Sequence, residues 1–242
     1  MEQSSNNDVK RTSYFANRNV SESTYTQYQP PRYLSPYFRD EDKELQVLDI
    51  GCGLGQFLGS LQKRGFSRLY GVDINEESIA LCRQRGLAVE QITDIRNFFP
   101  PGGVKYDRII MSHVLEHVDK ELIIDTLVHI RKNLLKEGGV FLLMVPNAQS
   151  PTGAYWRYED FTHTILFTAG SCLYVLKAAG FNNIQFIDPD GTTYMSPIKR
   201  GMIKTLLRYR RWKERIWFII LQTSYHSQSP AIFSFEIKVA AS

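Results

Sequence analysis

Glycine at every second position, directly after an apolar run that carries an acid, constrains this chain more than any other feature. The stretch Val47-Leu48-Asp49-Ile50-Gly51-Cys52-Gly53-Leu54-Gly55-Gln56-Phe57 reads as a short buried strand, a loop and the start of a helix. Residues without a side chain let the loop turn tightly and let a ligand lie against bare main chain. The first turn of the helix adds N–H groups that have no partner inside it. The loop is therefore a cradle for a nucleotide-type cofactor. A dinucleotide-binding G-x-G-x-x-G counted from Gly51 would need its third glycine where Gln56 stands, so the spacing is instead D-x-G-x-G-x-G.

The residues that follow agree with such a cradle. A second apolar run, Arg68-Leu69-Tyr70-Gly71-Val72, ends in Asp73, 22 residues after Gly51, near the ~20 at which an acid takes ribose hydroxyls in nucleotide-binding sheets. Asn75 caps the next helix and Gly86 stops it. Val89–Ile92 leads into Thr93-Asp94-Ile95, and Tyr106–Ser112 leads into His113. Each run has strand length and ends in polar residues, the pattern of parallel strands whose carboxyl ends line a ligand crevice. Further on, Leu122, Ile123, Leu127, Ile130 and Leu134 have helical spacing up to a stop at Gly138-Gly139, and Val140–Val145 is a fifth strand. A helix capped by Thr168 ends at Gly180-Phe181, before a sixth strand over Ile184–Ile187.

This combination resembles class I S-adenosylmethionine-dependent methyltransferases, over Val47 to Phe181. The resemblance implies an α/β fold: a Rossmann-like, seven-stranded, mostly parallel sheet with helices on both faces and an antiparallel last strand, for which the alternating Ala231–Val239 is the candidate. It implies S-adenosyl-L-methionine as cofactor. Asp49, Gly51 and Gly53 would surround its methionine part, Asp73 its ribose, Ile74, Asp94 and Ile95 its adenine, and Ser112 the region beside the sulfonium. Arg32, in a Tyr-rich lead-in with Tyr25, Tyr28 and Tyr33, is a candidate partner for the cofactor's carboxylate. Cys52 is a small residue between two tight glycines.

A chain of 242 residues, 43% hydrophobic and 12% aromatic, can bury one substantial core, so one domain with an insertion is expected. Residues 1–30, rich in Ser, Asn, Gln and Tyr, form either a flexible segment or a lid, and 31–242 the methyltransferase domain. Cys52, Cys82 and Cys172 have neither metal-site nor disulfide-framework spacing. The polar N-terminus lacks the apolar core of a signal peptide and no run approaches the ~18 apolar residues of a membrane span, so the expected location is the cytoplasm.

After the fourth strand, His113-Val114-Leu115-Glu116-His117 has the letters H-x-x-E-H of inverted zinc proteases. It follows a strand of a nucleotide-binding sheet and not a protease context, and a related Leu-Glu-His occurs in methyltransferases of this type, so no metal is expected. His113 would line the crevice and His117 hydrogen-bond behind it. Tyr155-Trp156-Arg157-Tyr158-Glu159-Asp160-Phe161-Thr162-His163 then gathers aromatic, cationic, acidic and imidazole groups at the rim of the expected site. Glu159-Asp160-Phe161-Thr162-His163, ahead of a helix ending Ala-Gly-Phe, resembles methyltransferases of bacterial polysaccharide and O-antigen assembly, as does Gly71-Val72-Asp73-Ile74 with Leu81–Leu87. Leu54-Gly55-Gln56 departs from the Arg-Gly-Glu of many of those proteins.

Methyl transfer from a sulfonium is a direct displacement, and a protonated sugar hydroxyl is a poor nucleophile. His163 is the first candidate for the base, since imidazole titrates near ~6.5; the competing reading is that it only ties its loop down. Asp160 would orient it or bind sugar hydroxyls, and His113 is the other candidate base. Tyr155, Trp156, Arg157 and Tyr158 are candidate acceptor contacts, the aromatic faces suiting a pyranose ring.

From Lys199 to Arg215 there are eight basic residues and one acid, a local +7 in a chain whose net charge is +4. Ile216–Leu221 continues it without reaching membrane-spanning length. The segment at about 195–229 is read as a basic amphipathic helical insertion. Three roles compete for it: a helix packing its apolar stripe on the core, a membrane-surface or lipid-linked glycan contact, and a nucleic-acid contact. The last is disfavoured because Met111-Ser112-His113-Val114 is not the Asn/Asp-Pro-Pro-aromatic of many base-amine methyltransferases. The expected function is O-methylation of a sugar or polysaccharide hydroxyl. The alternatives are a small-molecule methyltransferase of the quinone-biosynthesis kind and a cofactor-binding module without catalysis. The oligomeric state is left open.

Overall fold

A computed structural model describes residues 28–224 and 229–242. Most of the proposed N-terminal lid, including Tyr25, lies outside the described residues. Seven strands, β1 (Val47–Ile50), β2 (Leu69–Asp73), β3 (Val89–Gln91), β4 (Tyr106–Ser112), β5 (Leu135–Pro146), β6 (Ile184–Phe186) and β7 (Glu236–Ala241), form one sheet in the order β3-β2-β1-β4-β5-β7-β6. β1 and β2 pair in parallel from Val47↔Leu69 to Ile50↔Val72, and β7 is antiparallel to both β5 and β6. This is the Rossmann-like sheet of six parallel strands and an antiparallel last one. Its order reverses at β1, the switch point at which such sheets take ligands.

Two compact units divide the chain. The first comprises the described residues up to Ile110 with Leu134–Gly139. Its helices are α1 (Gln56–Lys63), which buries Phe57, Leu58 and Leu61, and α2 (Glu76–Gln84), which buries Ile79 and Cys82. Each of the phenylalanine, leucine and isoleucine side chains contributes about 1.5–3 kcal/mol by leaving water. Asn75 caps α2 by accepting from the Ser78 N–H at 2.9 Å, as its sequence position requires. β5 starts at Leu135, so Gly138-Gly139 lies inside the strand and does not end a helix there. The preceding helix α3 (Ile123–His129) has already ended in a π turn over Ile130–Leu134, and Lys136 Nζ anchors the strand's start on Asp107 at 2.9 Å.

The second unit, Met111–Asn133 with Val140–Ser242, contains α3, α4 (Gly153–Glu159), α5 (Ala169–Ala178) and α6 (Pro197–Leu221). Phe141 and Phe181 stack at 5.6 Å in its core. β7 begins at Glu236, five residues after the alternation at Ala231 suggested. Asn147 explains the delay: its buried Nδ2 donates to the carbonyls of Ile232 and Ser234 at 2.9 and 2.8 Å, so that segment is held by a side chain and not by a strand partner.

α6 is the expected basic insertion between β6 and β7, and its inner face half-buries Ile203, Leu207 and Phe218. None of its residues is buried, and Ile198, Met202, Leu206, Tyr209, Ile216 and Ile220 are all exposed along one outward face. The opposite, half-buried face includes Arg210 and Arg211, which reach Gln149 O at 2.7 Å and Asp190 at 3.1 Å. Apolar residues therefore occupy both faces, half-buried with polar anchors on the inside and exposed on the outside, unlike the single apolar stripe of an ordinary surface helix.

Asn147→Ala should destabilise the protein by about 2–4 kcal/mol in urea unfolding, because two buried carbonyls and the Gln149 N–H that donates to Asn147 Oδ1 at 2.9 Å lose their partner together. A loss below about 1 kcal/mol would contradict the assigned role of Asn147 in setting the start of β7.

Candidate functional site

The cofactor cradle belongs to the first unit. Gly51, Gly53 and Gly55 all have positive φ (73°, 52° and 74°). A Cβ on Gly55 would lie 2.4 Å from Leu87 Cδ1 and 2.8 Å from Cys82 Sγ, so the loop rests directly on α2. On Gly53 a Cβ would meet only Gln56 Oε1, at 3.9 Å, leaving that stretch of main chain open to a ligand. Asp73 holds the loop: Oδ2 accepts from the Gly53 N–H and Oδ1 from the Asn75 N–H, both at 2.8 Å. Arg85 donates to Leu54 O at 2.6 Å from the other side.

Two acceptors in the cradle fit a cationic, donor-rich ligand. Asp49 is only 5% exposed, and burial first, then the charge of Asp73, pushes its carboxyl up to about 8. The buried Gln56 Oε1 accepts no hydrogen bond. Gln56 had signified only the missing third glycine of a dinucleotide loop; its acceptor is visible only in the folded loop. The α-ammonium and ribose hydroxyls of S-adenosylmethionine supply the donors these atoms and Asp73 lack, so the residues present fit that cofactor.

The adenine candidates divide. Ile74, directly after Asp73, is 54% exposed and offers an apolar face. Ile95 is buried in the core, so its side chain does not serve the adenine. Asp94 accepts from the Arg96 N–H at 2.8 Å and pairs with that guanidinium, so its carboxylate is already engaged. Arg32 is exposed and lines a cleft with Ser60, Lys63 and Arg64 at the C-terminal part of α1, whereas the glycine loop leads into the N-terminal end. That position corrects its assignment to the cofactor's carboxylate.

The second unit assembles the other group. Ser112 ends β4, and His113 turns the chain with φ 56°. His113 Nε2 lies 2.8 Å from Glu236 and Nδ1 3.3 Å from Glu116. Desolvation opposes its charge, but the hydrogen bond with Glu236 and attraction from both carboxylates outweigh this and push it up to about 10. With a proton on each nitrogen it has no lone pair, which removes it as a base.

His163 is buried, and its Nδ1 lies 2.6 Å from Trp156 O. A carbonyl can only accept, so Nδ1 carries a proton and, in the neutral ring, Nε2 the lone pair. Nε2 faces Glu116 at 3.9 Å and Asp160 at 4.0 Å. Asp160 Oδ1 accepts from Thr162 Oγ1 at 2.6 Å, and that hydroxyl in turn lies 2.8 Å from His117 Nδ1. The chain of acceptors makes His117 Nδ1 a donor and leaves its Nε2 bare as well. Burial first, and then the neighbouring His163, hold His117 below the ordinary imidazole range despite Glu116. The two rings are 4.7 Å apart.

Arg157 ties the loop instead of reaching for a ligand: it donates to the carbonyls of His163 and, at 3.1 Å, Thr164. Trp156 is half-buried, with Tyr155 against its edge at 5.2 Å; Tyr155 and Tyr158 are 59% and 77% exposed. Glu116, His117, Thr162 and Glu236 were not among the candidate site residues. The Leu-Glu-His and Thr-His letters carried the signal, but they stand 46 residues apart from Glu116 to Thr162.

Known proteins bear on this geometry. The sequence pattern of the methyltransferase domain family matches residues 23–186. The tRNA U34 carboxymethyltransferase of Photobacterium profundum is 26% identical over 61% of this chain, which spans 48% of that relative's length. A SAM-dependent methyltransferase from Archaeoglobus fulgidus shares the fold with a TM-score of 0.62 at 22% identity, over 94% of this chain and 97% of that one. The plantazolicin methyltransferase BpumL in complex with SAH shares it with a TM-score of 0.56 at 20% identity, over 98% and 91%. With more than half of its length matched and a glycine loop, Asp49 and Asp73 arranged for S-adenosylmethionine, the chain belongs to the methyltransferase domain family.

Proposed function

We propose that this protein transfers the methyl group of S-adenosylmethionine to a hydroxyl of a sugar in a glycan. The observation that carries the proposal is the set of bare lone pairs on His117, His163 and Glu116, close after the strand end that the family resemblance puts beside the sulfonium. Attack on the methyl carbon forms a C–O bond as the C–S bond breaks, and the sulfur keeps the electron pair. The acceptor's O–H must lose its proton, and an imidazole Nε2 held by a fixed Nδ1–H is shaped to assist that loss. Tyr155, Tyr158 and the fully exposed Phe161 offer flat faces to a sugar ring at an open rim. The names of relatives point to other acceptors, a tRNA base among them, and those belong to the relatives.

Radiolabelled S-adenosylmethionine with a panel of oligosaccharides, quinols and RNA tests the acceptor class: label should enter a sugar as an alkali-stable ether. Label in a quinol or RNA alone refutes the glycan reading. His163→Ala should lower turnover by about 10²–10⁴ with cofactor affinity unchanged. Loss of cofactor binding in that variant would make His163 a structural anchor.

Asp49 sets a pH signature for the cofactor. Its raised pKa means that the free protein holds a proton there below about 8, and the cofactor's ammonium requires that proton to leave. Affinity should therefore rise with pH towards about 8 and fall beyond it, as an α-amino group with an ordinary pKa of about 7.7–8.0 loses its own charge. Asp49→Asn should weaken binding by about 1.5–3 kcal/mol, roughly 10- to 150-fold, and abolish the rise. The unpaired acid also makes the cofactor-free fold lose stability as pH rises from its ordinary 3.8 towards about 8, so the variant should be the more stable at pH 8 without cofactor. Calorimetry showing pH-independent affinity between about 6 and 8 would remove Asp49 from the site.

We also propose that α6 lies on an anionic lipid surface, where a lipid-linked acceptor would be found. Support comes from its outward apolar face, with Lys204, Arg208 and Arg215 along one flank and Lys199 and Lys213 along the other. Each cation near such a surface contributes up to about 1 kcal/mol, screened by salt. Co-sedimentation with vesicles containing phosphatidylserine should fall with salt and with Lys204→Glu/Arg208→Glu/Arg215→Glu. Equal sedimentation with neutral vesicles, or none with either, would refute the lipid contact.

A further inference from the structure

Glu116 is fully buried, and neither of its carboxylate oxygens accepts a hydrogen bond. A carboxylate removed from water costs several kcal/mol unless a cation meets it. His113 Nδ1 supplies a charge 3.3 Å from Oε1, beyond a good hydrogen bond. What faces Glu116 otherwise is the Nε2 of His163, at 3.9 Å, and a ring nitrogen of His117, neither of which donates to it. One ligand atom from each of the three residues lies within 4.8 Å of the others. Three electron-pair donors this close, two of them buried, repel unless something positive sits among them.

The surroundings are those of metal-binding imidazoles, which give their other N–H to a carbonyl or a carboxylate. His163 gives its Nδ1–H to Trp156 O, and His117 gives its own to Thr162, which passes a hydrogen bond to Asp160. We propose that Glu116, His117 and His163 hold one divalent transition-metal ion. A cation at about 2.0–2.2 Å from each donor in tetrahedral geometry holds them about 3.3–3.6 Å apart, so the site closes by up to about 1.5 Å on loading. Two nitrogens and a carboxylate leave coordination positions open. The catalytic part of the inference rests on the hydroxyl-methylating reading above. The acceptor oxygen takes an open position, its pKa falls and its proton passes to solvent water; the resulting alkoxide forms the C–O bond as the C–S bond breaks. His163 then acts as a ligand and not as a free base. His113 is no ligand, so the H-x-x-E-H letters contribute Glu116 and His117 and leave the first histidine out.

The untagged full chain, stripped with a chelator, should bind one Co²⁺ per chain with the visible absorption of a four- or five-coordinate ion, and Zn²⁺ should displace it in calorimetry. Glu116→Gln and His163→Ala should each weaken binding by about 100-fold or more. His117→Asn, at a partly exposed ring that leaves the buried pair in place, should also weaken it by about tenfold or more. SAH affinity of the stripped protein should be unchanged. Absence of saturable, one-to-one Co²⁺ or Zn²⁺ binding by the wild type, or binding unaffected in all three variants, overturns the site. Undiminished sugar methylation in chelator overturns the inference and leaves the glycan reading standing. Stoichiometric metal binding without any sugar methylation keeps the site and refutes that reading instead.

Discussion

A carboxylate taken out of water has to be protonated, paired or met by a cation, and the two units of this chain each bury one without a full protein partner. In the first, Asp49 sits on a central strand with a second acid as its charged neighbour, so it keeps its proton far above the ordinary carboxylate range. In the second, Glu116 is surrounded by imidazole nitrogens of which only one, on His113, brings a proton to it. Neither arrangement helps the bare fold. Both become favourable when a positive group arrives, which is how a folded chain stores selectivity for a cationic cofactor and for a second cationic or proton-donating ligand.

The loops that carry these acids are held by contacts that do not depend on a ligand. Asp73 and Arg85 fix the glycine loop through main-chain atoms, so its amides keep their direction. The Asp160–Thr164 loop is sewn to the turn after β4: Thr164 N–H donates to Glu116 O at 2.9 Å, its hydroxyl to Val118 O at 2.7 Å, and Arg157 spans the carbonyls of His163 and Thr164. A site fixed in this way loses little conformational freedom on binding, and alignment is the main contribution a protein makes to a displacement whose leaving group the cofactor already supplies.

The cofactor half was legible in the sequence because its chemistry is local. Three alternating glycines, an acid at the end of the next strand and a capped helix are each a short-range pattern, and the backbone obeys them. Reading failed where the answer depended on what lies across space. The period of α6 does not show that apolar residues occupy two faces, one half-buried with Ile203, Leu207 and Phe218 beside the Arg210–Gln149 and Arg211–Asp190 contacts, the other exposed. The alternation of Ala231–Val239 looks the same whether a strand or the side chain of Asn147 takes its carbonyls. Arg32 was placed by nearness in sequence to the first strand, and a helix of eight residues separates its cleft from the glycine loop.

The turn after β4 shows why a motif's letters and its chemistry can part. H-x-x-E-H on a continuous helix would bring both histidines to one face and leave the acid free. Here the strand ends at Ser112, His113 takes a left-handed backbone, and a short 3₁₀ turn over Leu115–His117 replaces the helix. The first histidine is thereby turned to Glu236 on the last strand, where two carboxylates keep it charged, and its place opposite His117 falls to His163 from a loop far along the chain. The same five letters thus yield one imidazolium that is used up in pairing and one neutral imidazole with an available lone pair. The backbone of a single residue, His113, decides which is which.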